Sequence, residues 1–146
     1  MLPVHAEQGS LPPGIHRASP EDIAARYGRF QHTTRRPQLV TLLREFIAEV
    51  RQCRWVRRLF LSGSFVTAKD EPNDIDVLVV FERNVNLTTL LPHEYNVLYP
   101  RGALRRFGPA IDLHVVEAES EAMERLLRFF QRDRRGNTVG IVEVIL

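Results

Sequence analysis

At 146 residues the chain can bury one hydrophobic core without staples and suits a single domain. Hydrophobic residues make up 44% and charged residues 26%, an ordinary soluble globular composition, and a formal net charge of +2 is too small to argue for nucleic-acid binding by itself. The lone cysteine, Cys53, excludes an internal disulfide and fits a reducing compartment. Met1 to His5 lacks the basic-then-apolar pattern of a signal peptide. The longest apolar run, Val77 to Phe81, falls far short of the ~20 residues of a membrane span. A cytoplasmic location with no membrane partner is therefore expected. Among 20 basic residues, Lys69 is the only lysine. Arginine suits planar contacts to phosphate or carboxylate, but the bias is read here as codon usage in a GC-rich genome.

Residues 1–18 read as an extended lead-in, because the prolines of Leu11-Pro12-Pro13-Gly14-Ile15 disfavour helix, and residues 19–146 read as the domain proper. Ser19 followed by Pro20 and Asp22 marks a helix start, running to about Tyr27 and stopped by Gly28. Leu39, Leu42, Leu43, Phe46, Ile47 and Val50 recur at three- and four-residue spacing, the apolar stripe of a second helix with Arg44, Glu45, Glu49 and Arg51 on its other side. Cys53 and Trp55 are expected to pack behind it. Leu59-Phe60-Leu61 is a short strand stopped by Ser62-Gly63-Ser64. After the turn-rich Asp70 to Asn73, Ile75 to Phe81 is apolar on both faces and so is a central strand covered on each side.

Asn84 to Gly108 gives no clear period beyond a helical turn over Arg101 to Phe107, closed by Gly108. Ile111 to Val116 is a strand with Ile111, Leu113 and Val115 on one face and Asp112 and His114 on the other. Ser120 to Gln131 is an amphipathic helix built on Met123, Leu126, Leu127 and Phe130. Gly136-Asn137 is a turn, and Ile141 to Leu146 a last strand. The predicted class is α+β, a mixed sheet flanked by helices.

Chemistry concentrates between Leu61 and Val77. A strand ending in Gly63-Ser64 lets backbone approach a phosphate, because glycine has no Cβ, and the Ser64 hydroxyl with the amides after it can hold the anion. After nine intervening residues, Asp74 and Asp76 flank Ile75 at the entrance to the apolar strand, with both carboxylates expected on one face. Asp112, on another strand, offers a third carboxylate. Three acids packed together repel unless a cation joins them, and Mg²⁺ takes carboxylate and phosphate oxygens. Each feature alone has a plain reading: a turn, a loop-shaping aspartate, a strand-edge aspartate. Their order and context distinguish the set.

This pattern resembles the motif of the polymerase-beta-like nucleotidyltransferase superfamily, in particular its minimal members. The resemblance implies a nucleotidyltransferase-like fold and transfer of a nucleoside monophosphate from a nucleoside triphosphate to an acceptor. It assigns phosphate binding to Gly63 and Ser64, two Mg²⁺ ions to Asp74 and Asp76, and the third-acid role to Asp112. Where many minimal members carry arginines and a second glycine, this chain has Phe65, Val66 and Ala68, so phosphate grip is expected to rest on Lys69. Most of the chain also resembles a group of small prokaryotic proteins through Leu11 to His16, Gly63 to Lys69, and Gln131-Arg132-Asp133 with Gly136-Asn137.

The acceptor is expected to be a protein, an RNA or a small molecule, chosen by a partner or by the Asn84–Gly108 segment. Small members of the superfamily also act in toxin–antitoxin or defence pairs, which makes a weakly active or silent interaction protein the alternative. An apolar C-terminal strand at the sheet edge would then be the docking surface. A metal-dependent phosphohydrolase is a third reading. His114 is expected to be satisfied by a hydrogen bond at the sheet surface rather than to touch a metal. The Arg132 to Arg135 loop and Arg105-Arg106 are read as solvated, and His16 receives no role.

Overall fold

Five strands form one mixed sheet in the computed structural model of the protein, which describes residues 2–29 and 33–146. They are β1 (Gly14–Ala18), β2 (Val56–Ser62), β3 (Ile75–Phe81), β4 (Ile111–Glu117) and β5 (Gly140–Val144), in the spatial order β1-β5-β2-β3-β4. β1 runs parallel to β5 and β3 parallel to β4, whereas β2 is antiparallel to both of its neighbours. The helices are α1 (Pro20–Tyr27), α2 (Arg35–Gln52), α3 (Pro92–Leu98), α4 (Pro100–Phe107) and α5 (Glu121–Phe130). The expected α+β class, with a mixed sheet and flanking helices in one domain, is the architecture adopted.

Local chemistry sets the element ends. The Ser19 hydroxyl accepts from Asp22 N at 3.1 Å and the Ser120 hydroxyl from Met123 N at 3.1 Å, so α1 and α5 each begin at a side-chain cap. Gly108, at φ 81°, stops α4 and returns its N–H to Leu104 O. Along α2 the expected stripe is buried, except that Leu42 is only partly so, and Arg36 joins the buried face.

Alternation along β3 divides the interior. Ile75, Val77, Val79 and Phe81 face the larger core with α1 to α4, whereas Leu78 and Val80 face a smaller core with Phe60, Val116, Phe130 and Ile141, beneath α5. Asp76 shares the parity of Leu78 and Val80, and Asp112 and His114 that of Val116, so all three lie on the α5 face. That face is covered by one helix rather than four. This leaves room for polar chemistry where the strands enter.

Two expectations are corrected here. The C-terminal strand is not at an edge: β5 is paired on both sides, by β1 and by β2, so its backbone cannot receive a partner strand. The edges are β1 and β4. Asn84–Gly108 contains a short 3₁₀ turn (Leu87–Thr89) and two helices, α3 and α4, which pack on the larger core opposite the acids. The proline-rich lead-in is also built into the domain: Leu11 is 1% exposed, Ala68 N donates to Gly9 O, and Gly140 N donates to Leu11 O. No helix among the described residues is long and apolar enough to cross a membrane.

Candidate functional site

The bend after β2 is shaped by contact with β3. Ser62 is paired with Asp76, and Gly63 follows at φ 80°, ψ −164°, a conformation that residues with a Cβ rarely adopt. A Cβ built on Gly63 would lie 2.3 Å from Asp76 Oδ2, so the carboxylate occupies the space a side chain would need. The chain then makes a 3₁₀ turn, Ser64–Val66, tightened by the Thr67 hydroxyl donating to Ser64 O at 2.6 Å. Phe65 and Val66 point inward and are buried, so these two positions of the bend serve the core.

A buried arginine holds this bend from behind. Arg36 is 3% exposed and donates to the carbonyls of Phe65 (2.8 Å), Thr67 (2.8 Å), Lys69 (2.6 and 3.0 Å) and Tyr27 (3.2 Å). Its guanidinium lies over the rings of Tyr27 and Phe65. Burial lowers its pKa, opposed by Tyr27 and Asp70. The Tyr27 hydroxyl donates to Val66 O at 3.2 Å and lies 2.9 Å from His5 Nε2. Burial raises the Tyr27 pKa to about 12, so it stays a neutral donor. This support was invisible in the sequence, where Arg36 is simply a cation at a helix start.

The acids meet because β3 and β4 are parallel and in register, Asp76 beside Asp112. One carboxylate oxygen from each, with one His114 ring nitrogen, form a group within 4.8 Å of one another. Burial, then Asp112 and Asp74, push the Asp76 carboxyl up to about 7, with Arg134 opposing. These residues suit a divalent cation, because two oxygen donors and a nitrogen donor converge. Asp112 and His114 keep side-chain exposures of 51% and 35%, so the group is open to solvent and to ligands.

Gly63, Asp76 and Asp112 are thus brought together, with Ser64 next on the same bend. Asp74 stands one residue before β3, near enough for its charge to act on Asp76, but outside the tight donor group, whose third member is His114. Lys69 is exposed, and no contact among the described residues links its side chain to the carboxylates.

Arg134, read from the sequence as part of a solvated loop, is close enough for its charge to act on Asp76. Asp133 ties its loop into a closed turn, accepting from Arg135 N and Asn137 N, both at 2.9 Å, while Arg132 donates to Gly136 O at 2.9 Å. The loop leaves α5 beside Phe130 and enters β5 near the end of β2, so it lies at the Gly63 end of the sheet. The Gln131-Arg132-Asp133 and Gly136-Asn137 signals were the available clue; what they could not give was the loop's neighbour.

No curated protein matches the chain at a significant level. Among solved structures, it is similar to the crystal structure of a "putative nucleotidyltransferase" from Sulfolobus solfataricus, at 16% identity and a TM-score of 0.40, over 70% of this chain and 87% of that one. The sequence pattern described as "Family of unknown function (DUF6932)" matches residues 3–145, and the chain belongs to that family.

Proposed function

We propose that the protein is a divalent-metal-dependent nucleotidyltransferase that moves a nucleoside monophosphate from a nucleoside triphosphate to an acceptor hydroxyl. The observation that carries this reading is the pairing of Asp76 with Asp112 against the Gly63–Ser64 bend. Asp76 and Asp112 are the cation ligands, with Asp74 adding charge beside them; the resemblance implies Mg²⁺. A bound divalent cation lowers the pKa of the attacking hydroxyl and neutralises charge on the leaving phosphate.

The residues of the chain do the rest. Gly63 leaves the bend unobstructed, and the Ser64 hydroxyl with the Ser64 and Phe65 amides takes phosphate oxygens. Arg134 brings positive charge to the triphosphate in place of Lys69. The acceptor oxygen bonds to the α-phosphorus, the bond to the bridging oxygen breaks, and pyrophosphate leaves. The hydroxyl proton passes to the exposed carboxylate of Asp112. The acceptor, whether protein, RNA or small molecule, approaches from the α5 face.

The test is incubation with each α-labelled nucleoside triphosphate and a divalent cation, with and without cell extract. Label should pass to an acceptor, or pyrophosphate should be released, with wild type but not with Asp76→Asn or Asp112→Asn. A protein that neither binds nor turns over any triphosphate would sink the proposal.

A further inference from the structure

The donors beside the carboxylate pair are not all oxygen. Asp112 and His114 are two positions apart on β4 and share its α5 face. Phe130, the last residue of α5, meets the imidazole nearly edge-on, with ring centroids 5.0 Å apart. That contact sets the ring plane and leaves Nε2 turned toward the acids, 3.6 Å from Asp112 Oδ1. This separation is longer than a hydrogen bond, so Asp112 does not engage the ring by one. Asp76, Asp112 and His114 each offer one donor atom within 4.8 Å of the others. On an octahedral ion with bonds of about 2.1 Å, adjacent donors are about 3 Å apart and opposite ones about 4.2 Å, so small side-chain rotations bring all three onto one ion.

We propose that His114 is the third protein ligand of the cation, making a mixed carboxylate–imidazole centre that prefers Mn²⁺ to Mg²⁺. This rests on the metal-dependent reading given above and departs from its all-aspartate expectation. Mg²⁺ demands near-ideal oxygen geometry and sheds water reluctantly, whereas imidazole is a donor for first-row transition ions. Mn²⁺ accepts carboxylate, imidazole and phosphate together. The open side of the group leaves coordination positions for water and phosphate, which suits an octahedral ion better than a closed tetrahedral Zn²⁺ site.

The test uses the whole chain freed of metal, with Mn²⁺ and Mg²⁺ as the only probes. Mn²⁺ is followed by electron paramagnetic resonance, and pulsed measurements read nitrogen coupling from a coordinated imidazole. Wild type should bind Mn²⁺ about tenfold or more tightly than Mg²⁺ and show that coupling. His114→Gln should lose the coupling and about tenfold in Mn²⁺ affinity, with Mg²⁺ affinity changed by less than about twofold. Labelling the histidines of wild type with ¹⁵N must alter the coupling, which needs no substitution and guards against a misfolded variant. Mn²⁺ bound without nitrogen coupling, coupling that survives His114→Gln, or equal affinity for both ions would overturn the proposal. If either ion still binds in an Asp76-dependent way, only the role of His114 falls. Binding of neither ion removes the metal-dependent function as well.

Discussion

Replacing Asp76 with asparagine should make the metal-free protein more stable, although the residue is central to the proposed chemistry. The carboxyl is shifted from 3.8 to about 7, first by burial and then by Asp112 and Asp74. Because the folded pKa lies above the unfolded one, the folded state holds this proton more tightly. The stability so contributed is complete below pH 3.8 and is lost as pH rises through about 7. A shift of this size corresponds to about 4 kcal/mol for a group shielded from water. Asp76 keeps part of its surface in solvent, so screening reduces the figure to about 2 kcal/mol. Asp76→Asn removes the charge and keeps the shape. At about pH 8 the variant should melt roughly 6 °C above wild type, and the two curves should converge toward about pH 4. Adding a divalent cation should raise the wild-type midpoint and leave the variant unmoved. Thermal unfolding across this pH range, with chelator or cation, makes the comparison. A variant no more stable than wild type at high pH, with the same pH slope, would refute the reasoning.

Gly63→Ala should cost about 1–3 kcal/mol, because the backbone is held at a positive φ that alanine resists. It should also weaken cation binding about tenfold or more by displacing the Asp76 carboxylate, as calorimetric titration would read. Arg36→Met keeps apolar bulk but leaves the carbonyls of Tyr27, Phe65, Thr67 and Lys69 without their donor. At about 1 kcal/mol for each, the loss is about 3–4 kcal/mol, or a melting point roughly 10 °C lower. Amide exchange should accelerate selectively over residues 65–70, and a variant within about 1 kcal/mol of wild type would remove Arg36 as the anchor of the bend.

The sequence alone determined what short-range relations determine. The serine caps of α1 and α5, the apolar stripe of α2 and the two-sided apolar run of β3 each depend on residues within a turn or a few strand positions of one another. The bend at Gly63 and the Asp74–Asp76 spacing were legible for the same reason, whereas the pairing of Asp76 with Asp112 joins two strands far apart in the chain. α3 escaped because seven residues cannot display a helical period, and because its buried Glu94 reads as a surface charge until Arg54 and the Leu91 amide are seen to satisfy it.

Tertiary structure decided the rest, because it depends on which distant segments pair. β5 lies inside the sheet only because β1, more than a hundred residues earlier, takes the edge beside it. His114 joins the donor group, and Asp74 stands outside it, because β4 aligns with β3 in one register and α5 packs Phe130 against the ring. A shift of β4 by one residue in that pairing would turn Asp112 and His114 toward the opposite core and away from Asp76, and no local spacing records which register the folded chain selects.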